Sequence, residues 1–276
     1  MLAEFFATFL LILIGNGSVA QFKFTGPPRQ SHLAVQITWG VGVYTALMVA
    51  GPISGAHLNP AVSISLCTLQ KLKVLQCILY VIGQIMGAFM GSVLVFIVYS
   101  NLFSQYDGGI RQISGANGTA DIFVTFPYND ELPNWNCLID QVVTTGFLMI
   151  FIMALGSDYN HLISQPAKPF AFVLVIMALG SGLGLNCGNP MNPARDFGPR
   201  LFCLFLYGRA IFETHRYYFW VPIVGPIVGA IIGVWIYEGY IQLMKKYADL
   251  GSTVHIESVE QPIDEKQPQH HHKLKA

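Results

Sequence analysis

The chain has 276 residues, 53% of them hydrophobic and only 11% charged, with a formal net charge of +0 and a mean hydropathy of +0.50. That is too little charge to cover a soluble globule, so a lipid-facing surface is the simpler reading. The scattered, balanced basic residues exclude a nucleic-acid-binding face. An odd number of cysteines (Cys67, Cys77, Cys137, Cys187, Cys203), mostly in or beside apolar runs, speaks against a disulfide framework.

Apolar runs of about 17–25 residues, long enough to cross hydrocarbon as a helix, recur along the chain. The first, Leu2–Ala20, carries Glu4 and no basic leader, so it reads as a span rather than a secretory signal. Only three residues precede Glu4, and this helix is expected to lack its cytoplasmic turns. Leu33–Val49 is the second run. A shorter apolar stretch follows Asn59-Pro60-Ala61 and ends at Leu69, too short to span. Val74–Val98 is the third run, and a Gly-, Asn- and Asp-rich connection over 104–136 follows it. Leu138–Leu155 and Phe170–Gly184 come next, then a second short stretch, Ala194–Leu204, opened by Asn192-Pro193. Tyr218–Leu243 is the last run, and the tail over 248–276, with His270-His271-His272, is expected to be disordered.

The two halves match. Gly51, Gly55, Asn59, Pro60 and Ala61 align with Gly184, Gly188, Asn192, Pro193 and Ala194 in one register, residue 59 to residue 192 being an offset of 133. Glu4 and Thr8 pair with Asp140 and Thr144, and Gly83, Gly87 and Gly91 with Gly225, Gly229 and Gly233. The domain reading is therefore a first repeat over 1–103, a connecting loop over 104–136 and a second repeat over 137–247. Three spans per half make the second copy enter the membrane from the opposite side, an inverted repeat with its site near the midplane. The glycine series put small residues on one helix face, where backbones can approach closely.

The short stretches carry the chemistry. Asn59 and Asn192 suit helix N-caps, and Pro60 and Pro193 suit the first helical position, where a missing N–H is no loss. Non-helical backbone at membrane depth survives only when buried or lining water, so Gly55–Leu58 and Gly188–Met191 are expected to turn carbonyls toward a wet path. Two half-helices meeting N-terminus to N-terminus place roughly half a positive charge each at its centre, which repels cations and hydronium. Arg195, beside the second half-helix, faces the path by default. Its planar fan of donors suits adjacent hydroxyls. His57 reads as a hydrogen-bonded loop anchor, with titration near neutral pH as its alternative.

On these residues the chain resembles the aquaporin (major intrinsic protein) family in its aquaglyceroporin branch, over Glu4 to about Tyr247. The resemblance rests on Ser54-Gly55-Ala56-His57-Leu58-Asn59-Pro60-Ala61-Val62 and on Asn192-Pro193-Ala194-Arg195-Asp196-Phe197-Gly198-Pro199-Arg200. It implies an all-α membrane protein of six transmembrane helices and two re-entrant half-helices, with one pore per subunit in a homotetramer. It also implies a passive channel, needing no cofactor or metal, for glycerol, water and other small neutral solutes such as urea, closed to ions and protons. Asn59 and Asn192 then form the central pair, and Arg195 belongs to a narrow filter with Trp39, Gly180 and Asn189. Gly180 leaves room for a solute larger than water, and Trp39 offers an apolar wall. Asp196, where water-selective relatives have a small residue, is implied to draw its loop outward and widen the filter. Glu4, Asp140 and His57 support the pore loops. Asn189 stands where the branch tends to carry an aromatic or aliphatic residue, and Asp140 where a glutamate is expected.

The family places both termini in the cytoplasm of a plasma-membrane protein. The sequon Asn117-Gly118-Thr119 in the connecting loop agrees, since it is useful only outside the cytosol. The competing readings are a poorly conducting structural relative, a water-selective channel and a secondary transporter. A transporter needs titratable or ion-ligating groups on its path, and none stands out. An enzyme is the least favoured reading, since no activated nucleophile or paired carboxylates stand out.

Overall fold

The computed structural model describes residues 1–25 and 30–259, with 249–259 described by backbone alone. Its helices are α1 (Leu2–Thr25), α2 (His32–Ser54), α3 (Pro60–Thr68), α4 (Val74–Asp107), α5 (Asn134–Gly156), α6 (Lys168–Leu183), α7 (Pro193–Tyr207), α8 (Ala210–Tyr217) and α9 (Val221–Val259), with no strand among the described residues. Helices long and apolar enough to cross a membrane cover α1, α2, α4, α5, α6 and the stretch Ala210–Ala248. The short α3 and α7 lie between them, which is the architecture expected from the sequence. Large apolar side chains such as Ile53, Leu75, Phe147 and Phe205 are exposed on the outside, where lipid would cover them. The contacts divide the chain into Met1–Tyr237 and Glu238–Ala276.

Within the first unit, α1 packs on α2 and α4, α2 on α6, and α4 on α7. The glycine series explain how closely. A Cβ at Gly87 would lie 2.2 Å from the Phe5 carbonyl oxygen, and one at Gly91 2.8 Å from that of Phe9, so α4 can lie on α1 only with glycine there. In the second repeat, Gly229 meets the Val142 carbonyl oxygen at 2.3 Å and Gly233 that of Gly146 at 2.3 Å. These contacts match Phe5 with Val142 and Phe9 with Gly146, a register of 137. The structural counterpart of Glu4 is therefore Gln141, one residue beyond the Asp140 that sequence matching selects. The mismatch arises because an acidic side chain in an apolar run draws attention, whereas register is fixed by what the glycines touch.

Two segments differ from their sequence reading. The connection over 108–133 holds a short 3-10 turn, Ala120–Ile122. With Phe123 and Val124 the turn joins a core containing Phe103, Phe202, Cys203 and Ile211. Its short apolar run is hidden in an otherwise polar stretch. At the other end, α9 continues to Val259, so 248–259, expected to be disordered, is helical. No proline interrupts the chain between Pro226 and Pro262, and a polar sequence can propagate a helix already nucleated. Residues 260–276, with His270–His272, lie outside the described residues, as does Arg29.

Candidate functional site

Asn59 and Asn192 cap α3 and α7 from extended backbone, φ −152° and −148°, with Pro60 and Pro193 opening the helices. Asn59 Oδ1 accepts from Ala61 N at 2.9 Å. Asn192 Oδ1 accepts from Ala194 N at 2.9 Å and Arg195 N at 3.2 Å. Each amide nitrogen then crosses to the other loop. Asn59 Nδ2 donates to the Met191 carbonyl at 2.9 Å, and Asn192 Nδ2 to the Leu58 carbonyl at 2.8 Å. This exchange fixes the two half-helix N-termini against each other and leaves each amide one further N–H for an oxygen on the path.

The loops before the caps share an unusual backbone. Gly55, Ala56 and Leu58 have positive φ, and so do Gly188, Asn189 and Met191, position for position at the 133 offset. For non-glycine residues this conformation costs about 1–3 kcal/mol each, and buried partners hold it. Glu4, fully buried, accepts from Ser54 Oγ at 2.6 Å and His57 N at 3.0 Å through one oxygen, and from Leu58 N and Gln84 Nε2, both at 2.9 Å, through the other. A trans peptide points its C=O opposite its N–H. The Ala56 and His57 carbonyls thus face away from Glu4, toward the cavity their loop lines. His57 Nδ1 meets Ser63 Oγ at 3.1 Å, and its ring stands edge-on to Tyr80 with centroids 5.1 Å apart, which anchors it.

In the second loop this task belongs to Gln141. Its Oε1 accepts from Met191 N at 2.8 Å, the counterpart of the Glu4–Leu58 bond. Asp140 instead accepts from Asn186 Nδ2 at 2.9 Å and from Gln141 Nε2 at 2.8 Å. It holds the root of the loop and the orientation of Gln141, and no bond from it reaches the loop's tip among the described residues.

A cavity of about 1250 Å³ runs past both caps. Leu47, Leu66, Leu148 and Ile152 line it beyond Asn59, and Asp121, Tyr128, Asp130 and His215 line it beyond Arg195. Trp39, Gly180, Asn189 and Arg195 all border it. The Trp39 ring lies 4.6 Å from the Arg195 guanidinium. The ring is also pressed on Gly15, where a Cβ would come within 2.4 Å of it. Arg195 Nη1 donates to the Phe123 carbonyl at 3.1 Å, leaving further donors for a solute. The room beside Gly180 is not open space. Gln36, unremarked in the sequence, puts Oε1 1.9 Å from where a Cβ of residue 180 would stand.

Asp196 faces away from the path and is 1% exposed. Its Oδ2 accepts from Thr125 N at 2.8 Å and Thr125 Oγ1 at 2.6 Å, and its Oδ1 accepts from Arg200 Nε at 2.8 Å. Arg200 donates onward to the carbonyls of Ile211 at 3.0 Å and Thr125 at 2.9 Å. The buried pair thus ties Phe123–Phe126 of the connecting loop over Arg195. Gln36, Gln84, Thr125 and Gln141 carry no local sequence signal, because each acts through a partner far along the chain. The five cysteines are free, and among the described residues no group of three or more His, Cys, Asp or Glu side chains could hold a metal ion. Asn117 is exposed. Asn16, which also begins a sequon, is fully buried and donates to Ser92 Oγ at 3.3 Å.

The chain is 39% identical over 243 residues to aquaporin-9 of Homo sapiens, covering 88% of this chain and 82% of that protein. It is 32% identical over 256 residues to aquaglyceroporin-2 of Rhizophagus irregularis, covering 92% and 80%. The X-ray structure of the aquaglyceroporin from Plasmodium falciparum superposes with a TM-score of 0.78 at 30% identity, over 87% of this chain and 94% of that one. The family profile described as major intrinsic protein matches residues 1–237. With that match spanning both capped half-helices and the cavity between them, the chain is a multi-pass membrane protein that belongs to the major intrinsic protein family.

Proposed function

We propose that the chain is a passive channel for glycerol and water that excludes ions and protons. The observation that carries this is the pairing of Arg195 with Trp39: the guanidinium packs on the ring at 4.6 Å and both border the cavity, so a polyol passing them meets hydroxyl donors and an apolar surface for its C–H groups side by side. Relatives named aquaglyceroporins support the same reading. The Asn59 and Asn192 amides serve as central donors, and the loop carbonyls as a line of acceptors. The two helix N-termini raise the barrier to cations. Glu4 and Gln141 brace the pore loops, Asp140 and His57 steady their roots, and Asp196 shapes the filter through Thr125. Urea and similar small neutral solutes belong to the same proposal.

The assembly is a homotetramer in the plasma membrane, with both termini cytoplasmic and Asn117 outside, where a glycan could be attached. Reconstitution into liposomes tests the function. Swelling in both water and glycerol gradients is expected, and water flux without glycerol flux would refute the glycerol assignment while sparing the channel.

A further inference from the structure

Two cysteines meet at the end of the cavity away from Arg195. Cys67 lies in the last turn of α3 and Cys77 in the first turn of α4, and the corner between them turns through Gln70 in the left-handed conformation, φ 58°. Both pack in one cluster with Ile64, Leu72, Tyr80 and Val81, and the Cys67 thiol is the hydrogen-bond partner of the Cys77 thiol. Leu66, beside Cys67, borders the cavity.

The two differ in exposure. Cys67 is half-buried and Cys77 buried, so an oxidant can reach the first while the second stands behind it to resolve the product. The other three cysteines are 0% exposed. Cys137 and Cys187 also pair, but neither faces solvent, and Cys187 Sγ accepts from Gln141 Nε2 at 3.2 Å as part of the loop support. We propose that Cys67 and Cys77 form a reversible oxidation site, closed to a disulfide by a peroxide and reopened by a thiol reductant. The Cys67 thiolate attacks hydrogen peroxide, the O–O bond breaks, and a sulfenic acid and hydroxide result. The Cys77 sulfur then attacks the sulfenic sulfur, forming the S–S bond as the S–O bond breaks, and the hydroxyl leaves as water with the Cys77 proton. Two thiols are oxidised by two electrons, and one peroxide is reduced to two waters. A small thiol restores both cysteines and becomes a disulfide itself. The link ties the α3–α4 corner beside Tyr80, whose hydroxyl donates to the Ser54 carbonyl at 3.0 Å and whose ring meets His57. Oxidation therefore braces the first pore loop.

The test exposes the full chain in liposomes to hydrogen peroxide, blocks the remaining thiols with N-ethylmaleimide and maps the cysteines by mass spectrometry. Trypsin cuts after Lys71 and Lys73, between the two cysteines, so a disulfide leaves their peptides joined. Wild type is expected to give that joined pair, lighter by about 2 Da than the two thiol peptides together, before any Cys137–Cys187 link forms. Dithiothreitol should separate it. In Cys77→Ser, which removes the resolving thiol, Cys67 should remain a sulfenic acid that dimedone captures. Unjoined Cys67 and Cys77 peptides in peroxide-treated wild type would overturn the proposal. So would Cys67 joined to another cysteine, or Cys67 driven to sulfinic acid with Cys77 still a thiol.

Discussion

Asp196 is held by Thr125 and Arg200 in a pocket where both charged side chains are 1% exposed. Removing one partner of such a pair leaves the other buried and uncompensated, at about 3–5 kcal/mol. Asp196→Ala is therefore expected to lower thermal stability in detergent sharply and to lose flux for every solute, because the loop over Arg195 comes free. Asp196→Asn, which keeps an acceptor for Thr125, should cost less. Selective loss of glycerol flux at unchanged stability would show that Asp196 acts on the filter alone. At the second pore loop, Gln141→Leu removes the acceptor for Met191 N and should cost about 1–3 kcal/mol, with reduced flux. Asp140→Asn keeps an acceptor for Asn186 and should cost less than that. The opposite order would return loop support to Asp140. The caps were legible because Asn followed by Pro is a local signal with a local cause. Gln141 and Gln36 were not, because their partners are 50 residues away, at Met191, or across the fold beside Gly180.

Among the elements, close packing makes the sharpest demand. A Cβ at Gly229 would meet the Val142 carbonyl at 2.3 Å, whereas one at Gly17 would meet nothing within 4 Å. Gly229→Ala is expected to destabilise by about 1–3 kcal/mol through overpacking, and Gly17→Ala to stay within about 0.5 kcal/mol of wild type, both read by thermal unfolding. Gly15→Ala is expected to displace Trp39 from its place on Arg195 and to cut glycerol flux more than water flux. An unchanged ratio would mean that the ring does not border the narrowest passage. The spans were readable because a membrane-length apolar run has one cause. The Ala120–Phe126 segment was not, since its apolar residues are fewer than a span needs and their cover comes from Phe103, Phe202 and Ile211. The helical extension to Val259 carries no such signal, because polar and charged residues break it up and leave no apolar run of membrane length.

For the whole molecule, duplication determines the function. Two loops with positive φ at matching positions, each capped by an Asn that reaches across to the other, place two helix N-termini head to head with no titratable side chain between Asn59 and Asn192 in the bonded exchange. Such a centre suits neutral solutes moving down their gradient, since the bonded exchange itself offers no titratable group to couple their movement to a proton. The most direct measurement is glycerol flux into liposomes bearing the full chain, followed over a wide range of glycerol concentrations, with and without an imposed proton or sodium gradient. Flux that rises linearly with concentration and ignores both ion gradients is expected. Flux that saturates and is driven uphill by either gradient would contradict a passive channel.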